Sequence, residues 1–342
     1  MDFQIALLLG QDGLVNGAIY GLMALALVLV FSVTRVIFIP QGEFVAFGAL
    51  SLAMLQMGRV PPTLWLLAGL SVAVLAVEAW RASRGTAVNW FATLGWCVAL
   101  PGLVAAMTLL WQPQQLWAQS LITLLLIAPL GPLLYRLIYR PLAGATTLML
   151  LIVSVALHLV LVGAGLLFFG AEGSRTPAFS EASFQWGEMN ISGQFLVVLG
   201  TTAALVLVLF LFFERTMVGK ALRAVAVNRV GARLMGIPTD MSGDVSFALA
   251  AVIGGISGLL IGPITTIYYE TGFLIGLKGF VAAIVGGLAS YPLALAGALL
   301  VGQLESFSSF WASAYKEVLV FTLIIPVLWW RSRGSRHVED EE

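Results

Sequence analysis

The sequence predicts an all-α membrane protein, a polytopic bundle of about eleven transmembrane helices (ten to eleven), on three observations. Of its 342 residues 60% are hydrophobic and only 10% charged, where a soluble domain carries roughly a quarter charged residues. The mean hydropathy is +1.00. The apolar residues also fall into runs of about 20, the length that crosses a bilayer as a helix. No single water-soluble core could bury that much apolar surface, so residues 1–342 read as one membrane domain.

The candidate spans lie near 13–33, 37–57, 63–80, 90–111, 118–139, 147–169, 195–213, 244–262, 272–289, 292–308 and 316–331. The second is interrupted by Pro40, and the turn between the ninth and tenth is marked by Ser290-Tyr291-Pro292. Orientation follows from the Lys/Arg content of short loops. With the N-terminus outside, one side holds Arg35, Arg81, Arg84, Arg136, Arg140, Arg215, Lys220, Arg223, Arg229, Arg233, Arg331, Arg333 and Arg336. The other holds Arg59, Arg175 and Lys316, and Lys278 falls within a span. This asymmetry puts the C-terminus in the cytoplasm. An outer loop, 170–194, is polar and slightly acidic. The inner loop, 214–243, carries five basic residues and a helix-compatible stretch from Gly219 to Ile237, ended by Gly236 and Pro238. It is too polar to span and too apolar to be a linker. Trp329, Trp330 and the following arginines form an interfacial anchor that leads into a polar tail, 331–342.

Composition excludes several classes of function. Seventeen Lys+Arg balance seventeen Asp+Glu, so nothing suggests nucleic acid as a partner. A lone Cys97 excludes a disulfide framework, and two histidines, His158 and His337, make a metal site improbable. Met1 to Gly10 lacks the basic start and cleavage site of a signal peptide. No P-loop, paired-aspartate or Ser/His/Asp arrangement is present, so the chain is not expected to be an enzyme.

Glycine recurs every fourth residue at Gly13, Gly17 and Gly21 and again at Gly254, Gly258 and Gly262. That spacing makes a stripe on which helices approach closely. Asn16 and Tyr20 sit one position beside the first stripe, where they either cross-link helices or face a pathway. Lys278 and Glu305 are ionisable groups in apolar segments, costly unless paired or hydrated. Their midpoint coincides with the Ser290-Tyr291-Pro292 turn, so an antiparallel hairpin brings them to similar depth as an intramembrane ion pair. The pair either fixes packing or takes part in transport. Between the eighth and ninth spans the pattern breaks at Gly262-Pro263 and Glu270-Thr271-Gly272: a discontinuous helix bordering a site, or an outer loop with an interfacial Tyr268-Tyr269 belt. Gln41 and Glu43 raise the same question at Pro40, where Glu43 suits a helix N-terminus. His158 has no partner visible in sequence and reads as a hydrogen-bonded packing residue, and Glu78 pairs locally with Arg81.

Across most of the chain the residues resemble the permease subunits of branched-chain amino acid ABC importers, the LivH-type family. The resemblance runs through Gly13 to Ile37, Gln41-Gly42-Glu43-Phe44 and Tyr139-Arg140-Pro141. It is densest in GKALRAVAVNRVGARLMGIP (219–238), KGFVAAIVGGLASYPLALAGALLVGQLE (278–305) and KEVLVFTLIIPVL (316–328). It implies a multi-pass protein of the bacterial inner membrane, N-terminus periplasmic, that forms half of a translocation pathway with a second related permease and carries no catalytic chemistry itself. It implies a periplasmic substrate-binding protein and two cytoplasmic ATP-binding subunits as partners, with ATP and Mg on those subunits and no cofactor in this chain. It also makes the inner loop an ATPase-coupling element around Gly219, Arg223, Asn228, Arg233 and Gly236, against the alternative of a helix lying on membrane lipid. Asn16, Tyr20, Gln41 and Glu43 become substrate-pathway candidates. Two departures stand out. The family usually shows Asn-Phe-Ala-His-Gly-Glu where this chain has Phe38-Ile39-Pro40-Gln41-Gly42-Glu43, which opens the question of the solute. Extra hydrophobic sequence between about Trp80 and Ala118 reads as two additional helices. The competing function is an ion-coupled secondary transporter that uses Lys278, Glu305 and Glu43 without an ATPase.

Overall fold

The computed structural model describes residues 3–85, 88–111, 113–186 and 189–334. In chain order its helices are α1 (Phe3–Thr34), α2 (Gln41–Gln56), α3 (Thr63–Ser83), α4 (Trp90–Trp111), α5 (Leu116–Leu142), α6 (Thr147–Phe169) and α7 (Gly193–Arg215). Then come α8 (Met217–Val227), α9 (Arg229–Leu234), α10 (Thr239–Ile261), α11 (Thr271–Val285), α12 (Tyr291–Trp311), α13 (Lys316–Thr322) and α14 (Ile324–Gly334). Among the described residues eight of them are long and apolar enough to cross a membrane. The short helices α2 and α11 and the broken pair α13–α14 occupy the other three segments where the hydropathy pattern places spans.

The structure corrects the sequence reading at four places. Between Trp80 and Ala118 it holds one membrane-length helix, α4, not two; two spans of about 20 residues and their turns need more chain than that interval contains. The outer loop is not wholly irregular: β1 (Ser183–Trp186) and β2 (Met189–Ser192) pair as an antiparallel hairpin, and strands of four residues are too short for alternation to reveal. The inner-loop helix is broken at Asn228, whose extended backbone ends α8 and whose side chain accepts a hydrogen bond from Gly231 N at 2.8 Å to cap α9. The last span is interrupted at Leu323, since Pro326 has no N–H to give the Thr322 carbonyl. Of the tail, 331–334 continue α14 and the remainder lies outside the described residues.

α1 is the central helix, packed by α12, α10, α11 and α7. The glycine stripes are packing surfaces. Gly13, Gly17 and Gly21 face Gln303, Leu299 and Leu295 of the antiparallel α12, and a Cβ on Gly302 would overlap the backbone of Gly13 and Gly17. Gly254 and Gly258 in turn receive Phe44, Val45 and Ala49 of α2. At the end that carries the basic loops, ion pairs brace the bundle. Arg136 meets Asp244 at 2.5 Å, Arg140 meets Asp240 at 2.8 Å and Glu78 at 2.9 Å, and Arg81 meets Glu78 at 3.3 Å as its sequence spacing predicts.

α2 and α11 begin inside the bundle. Gln41 donates from Nε2 to the Ala250 carbonyl at 2.8 Å, and Ala250 lies eleven residues before the end of α10, roughly 16 Å at 1.5 Å per residue. The first turn of α11 meets the first turn of α2 through Gly42, Gly272 and Gly276, whose lack of side chains lets the two backbones touch. Of the two readings of 262–272, the discontinuous helix is the one the structure supports. The same segment still carries the outer loop, through a bridge between Ser174 and Ile267 and a hydrogen bond from Arg175 to the Pro263 carbonyl.

Candidate functional site

Lys278 projects from the middle of α11, with its side chain buried among α1, α12 and α13. Its Nζ lies 2.6 Å from Glu305 Oε1 and 3.1 Å from Glu317 Oε1, and residues 278 and 305 are 6% and 8% exposed. The sequence-predicted pair therefore exists, because the α11–α12 hairpin is antiparallel about its turn. It is part of a larger group. Tyr20 of α1 donates its hydroxyl to Glu305 Oε2 at 2.6 Å, and its ring lies 5.7 Å from Lys278 Nζ. Both oxygens of Glu305 are thus hydrogen-bonded, which offsets much of the cost of burying a carboxylate.

Towards the start of α1 a cleft of about 280 Å³ opens beside this group, lined in part by Asp12, Asn16, Glu305, Ser306, Ser309 and Lys316. Asn16 and Tyr20 are brought together here, Asn16 on the cleft wall and Tyr20 beneath it. Glu317 was missed by sequence reasoning. It opens the last apolar segment beside Lys316, and an acidic residue at a helix start looks like simple dipole complementation.

Gln41 and Glu43 lie elsewhere, in the first turn of α2. Glu43 is 1% exposed, and its Oε1 is 2.6 Å from His158 Nδ1 of α6. His158 stacks on Phe273 with ring centroids 4.4 Å apart. His158 is therefore hydrogen-bonded, as expected, but its partner is the carboxylate at the interrupted helix. Glu43 Oε2 and Gln41 Oε1 have no hydrogen-bond partner among the described residues. Two helix N-termini, each the positive end of a dipole, converge on this buried polar spot. Replacing His158 with Phe should keep the stack but leave the Glu43 carboxylate unpaired, costing about 1–3 kcal/mol. Glu43→Gln retains an amide for the imidazole and should cost less. Thermal unfolding in detergent checks this, and equal melting temperatures for both variants and the wild type would refute the pairing.

The inner-loop residues separate into two groups. Gly219 packs closely on the backbone at Phe212 and Phe213, seating α8 beneath α7, and Arg223 bonds to Glu214 at 2.5 Å. Leu222, Val225 and Ala232 are buried with Leu29 and Val33 of α1. Beyond this seat the chain forms a tip. Asn228 sets the turn, Arg233 reaches Thr239 Oγ1 at 3.3 Å, and Gly236 closes α9 with φ +79°. Val227, Val230, Leu234 and Met235 are 71–86% exposed there, an apolar patch with no cover among the described residues.

Residues 93–328 match the family described as branched-chain amino acid transport system, permease component. The chain belongs to that permease family. It is 30% identical over 239 residues to the high-affinity branched-chain amino acid transport system permease protein BraD of Pseudomonas aeruginosa, an alignment covering 68% of this chain and 78% of that protein. It is also 30% identical to the LivH permease protein of Escherichia coli K12, over 56% of this chain and 65% of that one, just under two thirds of its length. The probable LivH permease of Methanocaldococcus jannaschii is 30% identical over 61% of this chain and 69% of its own. This LivH-type permease is a multi-pass membrane protein of a transport family. The matched region includes α8–α9, Lys278, Glu305 and Glu317.

Proposed function

We propose that this chain is a transmembrane permease subunit of an ATP-driven importer for branched-chain amino acids or a related small polar solute, and that it forms half of the translocation pathway. In this reading it crosses the bacterial inner membrane eleven times, with the N-terminus periplasmic and the C-terminus cytoplasmic. It pairs with a second related permease and receives solute from a periplasmic binding protein. Two cytoplasmic subunits bind ATP and Mg and drive it, and the chain needs no cofactor of its own. Asn16 and Tyr20, at the Lys278–Glu305 cleft, and Gln41 and Glu43, at the interrupted helices, are its pathway candidates. Pro40-Gln41 in place of the usual Ala-His widens the range of solutes beyond the branched-chain amino acids.

The observation that carries the reading is the α8–α9 element: a short helical pair outside the apolar spans, anchored on α1 by its own core, and presenting four exposed apolar side chains. Such a patch on an extramembrane knob marks a protein contact. Affinity purification of the tagged chain in mild detergent, with mass spectrometry and an ATPase assay, tests it. Recovery of two ATPase chains and a second permease, with vanadate-sensitive hydrolysis, is expected. A homo-oligomer without ATPase that takes up solute on an ion gradient would instead establish the secondary transporter.

A further inference from the structure

α7 packs on α1 along one side and leaves the rest of its surface open: only 11% of its most apolar stretch is buried, and it also contacts β2 at one end and α8 at the other. Near the α8 end Phe213 stacks towards Tyr291 with centroids 5.6 Å apart, and both line the gap between α7 and α12. The gap is an apolar groove of about 330 Å³, walled also by Val206, Leu209 and Phe210 of α7 and Leu295 of α12, with Leu25 of α1 at its back. Its end at Phe213 and Arg223 lies beside the change from apolar to charged sequence at Glu214-Arg215. Glu214 and Arg223 also line it.

We propose that this groove binds one acyl chain of an anionic phospholipid, whose headgroup is held by Lys220, Arg223 and Arg215. Size favours a lipid chain over a partner helix, because a helix is about 10–12 Å across with its side chains and needs a long channel rather than a pocket of this volume. Charge favours an acidic headgroup. Lys220 and Arg223 are three residues apart on α8 and share a face, Arg215 is the last residue of α7, and all three are exposed. Glu214, which lines the groove with Arg223, is paired with it. Lys220 and Arg215 make no ion pair among the described residues. Basic side chains clustered at the inner membrane surface recognise anionic headgroups. An apolar slot directly above them converts that attraction into a site for a whole lipid, and it would couple the seat of α8 to the lipid composition of the leaflet.

The test uses the complete assembly, purified in mild detergent from nanodiscs made of phosphatidylglycerol and phosphatidylcholine in equal parts, and native mass spectrometry of the lipids it keeps. The wild type should retain phosphatidylglycerol in preference to phosphatidylcholine. Leu209→Trp, which fills the groove from the loosely packed α7, should lose the retained lipid; Val206→Phe serves if that variant does not fold. Lys220→Gln should lower the preference for phosphatidylglycerol about fivefold. A photoactivatable phenylalanine analogue at position 210 should cross-link to lipid. Equal retention of the two lipids by the wild type, undiminished retention by both groove variants, or cross-linking at position 210 to a protein chain would overturn the proposal, the last in favour of a subunit interface.

Discussion

Lys278→Met is expected to be the most damaging single substitution in the membrane domain. It removes the cation that pairs with both Glu305 and Glu317 and leaves two carboxylates close together, one of them, Glu305, buried. Losing one partner of a buried pair costs about 3–5 kcal/mol, a large share of the net stability of a typical domain. Glu305→Gln should be milder, since Lys278 keeps Glu317 and the new amide can still accept from Tyr20. The geometry also changes the compensating variant. Sequence pairing alone suggests that Lys278→Met with Glu305→Gln restores a neutral site, but Glu317 would remain charged beside a methionine. The triple variant Lys278→Met, Glu305→Gln, Glu317→Gln should therefore recover more of the folded protein than the double. Folded yield and unfolding temperature in detergent, together with solute uptake, read this out. If the single variant matches the wild type in all three, the cluster holds nothing together. If the triple variant is stable yet does not transport, the group takes part in passage as well as packing.

If the chain is driven as proposed, Leu234→Asp should separate it from its ATP-binding subunits while leaving the membrane domain intact. Leu234 is 83% exposed at the tip of the inner loop, so a charge there has no effect on the seat formed by Leu222, Val225 and Ala232 against α1. Apolar anchors of this kind at the centre of a protein contact cost about 2 kcal/mol or more when disrupted, a loss of at least tenfold in affinity. Co-purification of the ATP-binding subunits should fall by that order while the unfolding temperature of the chain stays unchanged. Charge reversal at Arg233 and substitution of Gly236 should act differently. Arg233 ties the tip to the start of α10 through Thr239. Gly236 adopts a positive φ that costs a side chain about 1–2 kcal/mol. These variants should retain bound ATPase but hydrolyse ATP without matching uptake. Unchanged co-purification and coupling across all three would remove the coupling role from this loop.

Particular residues show where the reading of the sequence succeeded and where it stopped. Lys278 and Glu305 were legible because they lie on consecutive helices equidistant from a marked turn, and equal rise per residue then fixes their depth. Gly13, Gly17 and Gly21 were legible because periodicity four defines a helix face whatever lies opposite. Tyr20 and Glu317 reach the same group from helices 285 and 39 residues away along the chain, and no local rule sets the rotation of those helices about their axes. His158 and Glu43 are separated by 115 residues. Their pairing depends on α6 packing beside the interrupted start of α2, which neither segment encodes alone.

What the sequence by itself determined is the class of the protein, the positions of its apolar segments, the uneven distribution of its basic loops and the helix-prone inner loop. These follow from transfer of side chains between water and lipid and from short-range capping, all of which act within a segment. Only the tertiary structure decided that α2 and α11 begin inside the bundle with their N-termini together, that one lysine serves two glutamates and a tyrosine, and that the inner loop divides at Asn228 into a buried seat and an exposed tip. Those outcomes depend on which helix faces meet. In an apolar solvent the hydrophobic effect does not choose among faces, so the choice falls to close glycine contacts and to the pairing of the few polar groups.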